Sequence, residues 1–164
     1  MIKLHQIQSK IKTWEEISSS VEAWKQEGKK IVFTNGCFDL VHMGHIDYLS
    51  RAADLGDILI IGVNTDDSVS KLKGENRPLQ DEMSRASLLS SFFFVDAAVL
   101  FAEDTPYELI KVVQPDLLVK GSDYNEDDIV GADIVKANGG RVETIDFLPG
   151  YSTSSIIDKA KGSG

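Results

Sequence analysis

The chain has 164 residues, of which 42% are apolar, and this is enough for one well-buried core but hardly for two domains. Its formal net charge of -9 argues against a general nucleic-acid surface, which needs an excess of Lys and Arg, but not against a small anionic ligand. No apolar run reaches membrane-spanning length, no secretion signal is recognisable and the single cysteine can form no internal disulfide, so we expect a cytoplasmic protein with no membrane partner.

An amphipathic helix is predicted near the N-terminus, over residues 13–27. Its apolar residues recur at spacings of three and four, which mark one face of a helix: Trp14, Ile17, Val21 and Trp24. Thr13 and Glu16 form a capping box at its start. We therefore treat residues 1–29 as a helical extension that precedes the main domain, residues 30–160.

The rest of the chain alternates between strand and helix patterns. Strands are predicted at residues 30–33, 58–64, 97–101, 117–120 and 141–145. Helices are predicted at residues 43–55, 81–92, 105–113 and 129–138, and a last helix starts near Tyr151. This alternation predicts an α/β fold, a single domain with a Rossmann-like, doubly wound parallel sheet. Residues 161–164 are expected to form a flexible tail.

The junction between the first of these strands and the helix after it is the most informative segment. Residues 34–45 read Thr-Asn-Gly-Cys-Phe-Asp-Leu-Val-His-Met-Gly-His. Gly36 and Gly44 allow close backbone approach, and the free N–H groups of a helix start attract an anion. His42 and His45 can donate hydrogen bonds to phosphoryl oxygens whose charge grows during transfer. The segment therefore predicts a phosphate site and nucleotide chemistry.

The residues of this junction also have structural explanations. A lone histidine often has a structural role, here capping a helix start, but the pair of histidines, the glycines and the preceding strand together favour a phosphate site. Asp39 either orients the loop by accepting backbone N–H groups or touches the substrate, and the sequence leaves both roles open. Cys37 is expected to pack in the loop, because it has no redox partner.

Ligands in such sheets bind beyond the carboxyl ends of the strands, so the segments that follow the strands are further candidates. Residues 64–78 are polar and contain Lys71, Lys73 and Arg77, which either clamp phosphates or belong to a mobile surface loop. Directly after another strand come Lys120, Gly121, Asp123 and Tyr124, which either contact a base or sugar or form a tight turn.

Two helices carry the remaining candidates. Arg85 lies in a helix that is expected to turn Met83, Leu88, Leu89 and Phe92 towards the core, and an arginine there is usually solvent-facing or ion-paired. Four hydroxyl residues begin the last helix and, with its unpaired N–H groups, form a second anion-binding end: Ser152, Thr153, Ser154 and Ser155. A serine N-cap would explain one of these hydroxyls but not four.

At these residues the chain resembles the cytidylyltransferase-like nucleotidyltransferases. Their signature G-x-F-D-x-x-H-x-G-H is matched by Gly36, Phe38, Asp39, His42, Gly44 and His45. Roughly residues 30–160 further resemble the adenylyltransferase domain of bacterial ADP-heptose synthases. The segments that carry this second resemblance are residues 33–39, 71–78 and 119–124 and the Ser- and Thr-rich start of the last helix.

The resemblance implies transfer of AMP from ATP to D-glycero-β-D-manno-heptose 1-phosphate, which releases pyrophosphate and gives ADP-heptose for the lipopolysaccharide core. It implies Mg²⁺ as the cofactor, bound with ATP, and we assign no residue as a metal ligand. The implied catalytic residues are His42, His45, Lys71 and Lys73. The residues implied to bind nucleotide or sugar phosphate are Thr34, Asn35, Gly36, Phe38, Asp39, Gly44, Arg77, Arg85, Lys120, Gly121, Asp123, Tyr124, Ser152, Thr153, Ser154 and Ser155.

The expected partners are ATP and a phosphorylated sugar, with no nucleic acid and no membrane, and homodimerisation is left open. Two other functions are compatible with the same residues. A cytidylyltransferase for glycerol 3-phosphate or another alcohol phosphate would share the signature and differ in its base and acceptor pockets. A nucleotide-binding module without turnover would also keep the fold, although retention of both histidines speaks against it.

Overall fold

Six parallel strands form one sheet at the centre of the computed structural model, which describes residues 1–162. The strands are β1 (Ile11–Lys12), β2 (Ile31–Gly36), β3 (Ile58–Asn64), β4 (Ala97–Phe101), β5 (Leu117–Gly121) and β6 (Arg141–Ile145). Their order in the sheet is β1-β4-β3-β2-β5-β6, and every neighbouring pair is parallel. The winding reverses between β2 and β5, which makes this the switch point of a doubly wound sheet.

Helices cover both faces of this sheet. Within residues 1–162 they are α1 (Ile2–Gln8), α2 (Trp14–Gln26), α3 (Met43–Ala53), α4 (Asp66–Lys73), α5 (Glu82–Ser90), α6 (Tyr107–Val113), α7 (Ala132–Ala137) and α8 (Thr153–Ala160), with a 3-10 turn at Glu126–Asp128. Helices α2, α6 and α7 pack on one face, and α3 and α5 pack on the other. The expected α/β architecture is therefore confirmed.

Side-chain alternation along the strands explains the two cores. Ile31 and Phe33 of β2 face the core under α2 and α6, whereas Val32 between them faces the core under α3. Strand β3 is buried along its whole length because both of its faces are covered by helices. The sheet thus fixes the carboxyl ends of β2, β3 and β5 as one rigid edge.

The N-terminal segment is packed on the sheet. Strand β1 pairs with β4 through Ile11 and Ala98, and Ile17 and Val21 of α2 lie in the core. The capping box predicted at the start of α2 is present, since the side chains of Thr13 and Glu16 accept each other's backbone N–H at 3.1 and 2.8 Å. Helix α1 and strand β1 were not expected, because a two-residue strand gives no periodic signal.

The segment predicted as a polar stretch after β3 contains a helix instead. Thr65 caps α4 by accepting the N–H of Ser68, and Asp66 and Asp67 lie at the positive end of its dipole. Val69 is buried and holds α4 against the sheet. The sequence has few apolar residues here, so its helical period is weak and the capping residues are the better signal.

The face of helix α5 that packs on the sheet is not the predicted one. Met83 and Leu88 are 47% and 39% exposed, so their predicted burial is wrong, whereas Leu89 is buried as expected. The inward face carries Arg85 and Ala86. At the other end of the chain, Lys161 and Gly162 follow α8, and the remaining two residues of the expected 161–164 tail lie outside the described residues.

We predict that Ile17→Ala lowers the free energy of unfolding by about 2 to 5 kcal/mol, because a fully buried side chain is removed from the core that α2 shares with the sheet. Urea denaturation provides the measurement. Ile2→Ala is the matched control: Ile2 is 75% exposed, and its truncation should change stability by less than about 0.5 kcal/mol. Equal stability of the two variants would show that residues 1–29 are not part of the cooperative unit.

Candidate active site

A cleft of about 370 Å³ opens at the carboxyl ends of β2 and β5, where the winding of the sheet reverses. Ligand sites of doubly wound sheets occur at this position. Twelve of the residues singled out from the sequence line the cleft: Asn35, Gly36, Phe38, Asp39, His45, Lys73, Arg77, Lys120, Gly121, Asp123, Tyr124 and Thr153.

The two signature glycines make room for aromatic rings. A Cβ atom on Gly36 would lie 3.0 Å from the Phe38 ring, and one on Gly44 would lie 3.0 Å from the His42 ring. Phe38 itself has a φ of 50°, a left-handed conformation that a bulky residue rarely adopts. Such local strain is retained where the surrounding structure enforces it, as at binding sites. Here Phe38 packs edge-on against His45, with ring centroids 5.3 Å apart.

The two histidines stack on each other at the start of α3. Their ring centroids lie 3.9 Å apart with an interplanar angle of 25°. The backbone N–H of His42 donates to Nδ1 of His45 at 3.3 Å, so the proton of a neutral His45 ring is on Nε2. Burial, and then the nearby positive charges of His42 and Lys73, lower the pKa of His45 to about 4. At neutral pH His45 is therefore an uncharged hydrogen-bond donor lining the cleft.

Asp39 belongs to the signature loop, by which we mean residues 36–45. Its side chain holds the segment before α5 against this loop. Its carboxylate accepts hydrogen bonds from Nε of Arg77 at 2.6 Å and from the backbone N–H groups of Leu79 at 2.9 Å and Gln80 at 3.1 Å. Burial by itself would raise the pKa of Asp39, but these donors outweigh it and the pKa is lowered. Both oxygens are occupied by the protein, which favours the loop-orienting role over direct contact with substrate.

Arg85 lies behind the cleft and does not reach it. Its side chain is 0% exposed and donates to the carbonyl oxygens of Cys37, Asn64 and Gln80 at 2.7, 2.8 and 3.0 Å, and to Asp66 at 2.8 Å. The expectation that Arg85 binds phosphate does not fit this burial and must be corrected. Its guanidinium instead ties the signature loop to the end of β3 and the start of α5.

Both lysines at the end of α4 are exposed, but Lys73 lines the cleft and Lys71 does not. Arg77 lines the cleft beside Lys73, and its Nη2 is buried without a hydrogen-bond partner among the described residues. An unpaired guanidinium nitrogen and a lysine ammonium in one cleft form a site for an anion. Lys73 and Arg77 are thus the cations from this segment that can contact phosphates.

The end of β5 supplies the opposite wall. A Cβ atom on Gly121 would clash with the Phe147 ring, so only glycine allows this close packing. Burial lowers the pKa of Lys120 to about 8, although the nearby Asp123 acts in the opposite direction. The Lys120 ammonium lies 5.6 Å from the centre of the Tyr124 ring, and no carboxylate of residues 1–162 forms an ion pair with it.

The start of α8 faces the histidines. Ser152 is its N-cap and accepts the N–H of Ser155 at 3.1 Å, while Thr153 donates to a backbone carbonyl of the signature loop at 3.3 Å. Ser152 and Ser155 line, together with His42, an adjoining cavity of about 270 Å³. Ser154 lines neither cavity. One serine thus serves as a cap, and Thr153 and Ser155 remain beside the cleft.

Two more of the expected residues lie outside both cavities. Thr34 is fully buried and bonds to the hydroxyl of Tyr48 at 2.9 Å, and Gly44 serves the packing of His42. Four residues that had not been assigned to the site line the cleft: Cys37, Tyr48, Asn64 and Phe147. Cys37 and Asn64 adjoin segments already recognised, but Phe147 reaches the cleft from the loop after β6, and no sequence signal pointed to it.

Among residues 1–162, no group of three or more His, Cys, Asp or Glu side chains could hold a metal ion. Within the same residues, no helix is long and apolar enough to cross a membrane.

Known proteins resemble this chain over most of its length. A family model described as cytidylyltransferase-like matches residues 33–159. "Bifunctional protein HldE" of Campylobacter jejuni subsp. doylei is 56% identical over 154 residues, which are 94% of this chain and 32% of that protein. The HldE of Geobacter metallireducens is 52% identical over 92% of this chain and 31% of its own length. The chain thus spans about a third of the length of these relatives.

Solved structures show the same fold. The lipopolysaccharide core biosynthesis protein of Thermoplasma volcanium is 32% identical, with a TM-score of 0.61 that covers 74% of this chain and 98% of that one. Pantoate-beta-alanine ligase of Francisella tularensis has the same TM-score of 0.61 over 92% of this chain and 76% of its own, but at 16% identity it supports the fold alone.

We predict that Arg85→Met destabilises the protein by about 3 kcal/mol or more, because it leaves three backbone carbonyls, one of them on buried Asn64, and Asp66 without their donor. Urea denaturation followed by circular dichroism measures the change. Arg51→Met is the matched control, since Arg51 forms an exposed pair with Asp47 and should contribute less than about 1 kcal/mol. A small effect of Arg85→Met would mean that the guanidinium does not hold these segments together.

Proposed function

We propose that this chain, which belongs to the cytidylyltransferase-like family and is a nucleotidyltransferase, transfers AMP from ATP to a sugar 1-phosphate. The acceptor we propose is D-glycero-β-D-manno-heptose 1-phosphate, and the products are ADP-heptose and pyrophosphate. Support comes from the HldE relatives, whose matched region corresponds to this chain, and from the lipopolysaccharide core biosynthesis protein of the same fold. The product would serve lipopolysaccharide core synthesis.

The reaction follows from the arrangement of charges in the cleft. A phosphate oxygen of the acceptor attacks the α-phosphorus of ATP in line, so a new P–O bond forms while the bond to pyrophosphate breaks and its electron pair leaves on the pyrophosphate oxygen. The substrate supplies the nucleophile, and the protein needs no covalent intermediate. Its task is to align the two phosphates and to stabilise the charge that develops on them.

The single observation that carries the proposal is the neutral, fixed donor state of His45. Because Nδ1 already accepts a backbone N–H, the Nε2–H group can donate to an α-phosphoryl oxygen without prior loss or gain of a proton. Lys73 and Arg77 are proposed to neutralise the phosphates from the opposite side of the cleft. His42, Thr153 and the N-terminus of α8 are proposed to receive the β- and γ-phosphates.

The proposed roles of the other predicted residues differ in part from those expected from the sequence. We place Lys71 at the rim, where it attracts the nucleotide without a fixed contact, and we give Arg85 a positioning role. Asn35, Gly36, Gly121 and Phe147 are proposed to surround the nucleoside. A cytoplasmic location is proposed with the activity, because ATP is the donor substrate.

Mg²⁺ is proposed to accompany ATP and to neutralise its phosphate charge. This ion usually keeps several waters and takes its other ligands from one or two carboxylates and the substrate phosphates. The phosphate oxygens of ATP would hold the ion, and Lys73 and Arg77 would contact the oxygens that it leaves free.

We predict that His45→Ala lowers kcat by about 10² to 10³, because it removes a donor that acts mainly in the transition state. The affinity for ATP should change far less. Steady-state pyrophosphate release and titration with a non-hydrolysable ATP analogue measure the two quantities. His5→Ala, in the exposed part of α1, is the matched control and should keep full activity. An unchanged kcat with weakened ATP binding would make His45 a ground-state ligand instead.

The substrates are tested by measuring Mg²⁺-dependent pyrophosphate release with ATP and CTP against heptose 1-phosphate, glycerol 3-phosphate, phosphocholine and phosphopantetheine. We expect activity with ATP and heptose 1-phosphate to exceed every other pair. Preference for CTP or for a non-sugar acceptor would reject the heptose assignment and keep the nucleotidyltransferase class. Absence of turnover with every pair would favour a nucleotide-binding module.

A further inference from the structure

A second cavity of about 230 Å³ adjoins the cleft at the same edge of the sheet. The two cavities share four lining residues, which form a common wall: Asn35, Asn64, Lys120 and Tyr124. On the far side of this wall the second cavity is lined by Leu72, Asp104, Thr105, Pro106, Asp128, Ile129 and Val130. None of these seven residues was assigned a role by the nucleotide chemistry described above.

We propose that this second cavity, which we call the acceptor cavity, binds the sugar ring of the acceptor while Lys120 in the common wall holds its 1-phosphate. The inference rests on the proposed function and adds to it a location and a set of recognition residues. Asp104 and Asp128 would accept hydrogen bonds from the sugar hydroxyls.

The mixture of polar groups in the acceptor cavity fits hydroxyls. Each sugar hydroxyl is both a donor and an acceptor, so it requires partners of both kinds. Asp104 and Asp128 provide acceptors, and Lys120 and Thr105 provide donors. The Oδ1 atom of Asn35 in the common wall is buried without a hydrogen-bond partner among the described residues, which leaves a further acceptor unused by the protein.

The charges of the two cavities differ in a way that separates the two substrates. The cleft is lined by Lys73 and Arg77, which suit the triphosphate, and by the carboxylates of Asp39 and Asp123, of which Asp39 is engaged by Arg77. The acceptor cavity carries two carboxylates, which would repel an acceptor with a second anionic group beyond its phosphate. The same carboxylates would attract a cationic amino-alcohol group, so the assay with phosphocholine distinguishes that acceptor from a sugar. A neutral body with many hydroxyls is the acceptor that we propose, because the lining offers both hydrogen-bond donors and acceptors.

Lys120 lies where the phosphate of the acceptor can be held close to the bound ATP. It lines both cavities, so its ammonium can contact a phosphate that lies between them. Burial brings its pKa to about 8, and the group is therefore still largely protonated at neutral pH. A phosphate held at this wall lies beside the cleft in which the α-phosphorus of ATP is proposed to bind, which is the placement that in-line attack requires.

The test is isothermal titration of heptose 1-phosphate into the protein saturated with a non-hydrolysable ATP analogue. We expect Asp104→Asn and Asp128→Asn each to weaken heptose 1-phosphate binding at least tenfold and to change the affinity for the analogue less than twofold. Lys120→Met should also weaken heptose 1-phosphate binding at least tenfold, because it removes the phosphate ligand.

Neighbouring acidic residues outside the acceptor cavity provide matched controls. Glu103→Gln and Asp127→Asn change a carboxylate next to each test residue, and Asp127 has a side chain that is 96% exposed. Both controls should bind heptose 1-phosphate as the wild type does. The proposal is overturned if Asp104→Asn and Asp128→Asn bind it as tightly as the controls, or if they lose analogue binding to the same extent.

Failure of the proposed function has a different signature. If the wild-type protein does not bind heptose 1-phosphate but turns over another acceptor, the heptose assignment fails. The same variants are then assayed with that acceptor: a raised KM for the acceptor with an unchanged KM for the nucleotide keeps the acceptor cavity, and unchanged constants reject it. If the wild type binds and turns over no phosphorylated acceptor at all, both proposals are rejected.

Discussion

The desolvated guanidinium of Arg85 is the constraint on which the geometry of the cleft depends. A buried charge is costly unless its hydrogen bonds are satisfied, and Arg85 satisfies them with backbone carbonyls of three segments that are distant in sequence. The signature loop at Cys37, the end of β3 at Asn64 and the start of α5 at Gln80 must therefore converge on one point. Asp39 reinforces this convergence from the other side, because it accepts the N–H groups of residues 79 and 80. These contacts within the protein hold together the segments that bound the cleft.

The buried carboxylate of Asp39 also determines how the positive charge of Arg77 faces the cleft. The chain carries a net charge of -9, yet the cleft presents Lys73, Arg77 and Lys120. Asp39 engages Nε of Arg77 and leaves Nη2 without a partner, so a carboxylate orients the guanidinium while part of it remains for an anion. A concave site focuses such a local field, and a phosphorylated ligand is attracted there despite the acidic surface elsewhere.

The fold could be predicted from the sequence because its signals are local. The strands are short apolar runs between turn residues, and the signature places two histidines and two glycines at one strand–helix junction. What could not be predicted depends on tertiary partners. An arginine in a helix carries no sequence mark that distinguishes a buried position from a solvent-facing one, so the expected phosphate contact of Arg85 is wrong although the ion pair with Asp66 is present, and the burial predicted for Met83 and Leu88 is also wrong. Phe147 could not be found for a related reason, since its place at the cleft depends on tertiary packing against Gly121 and the Tyr48 ring.

The topology of the sheet separates recognition from reaction. Because β2 and β5 are neighbours at the switch point, Asn35 at the end of one and Lys120 at the end of the other stand side by side in the wall between the two cavities. In the proposed reaction, the nucleotidyl group passes from ATP in the cleft to the acceptor in the acceptor cavity at this wall, because its residues line both cavities. The far lining of each cavity contacts only one substrate, so it can change without disturbing the transfer step. A shared signature with differing acceptors is the outcome that such a division permits: in the function we propose, His45 and the cations near it serve the reaction, and Asp104 and Asp128 select what receives the nucleotide.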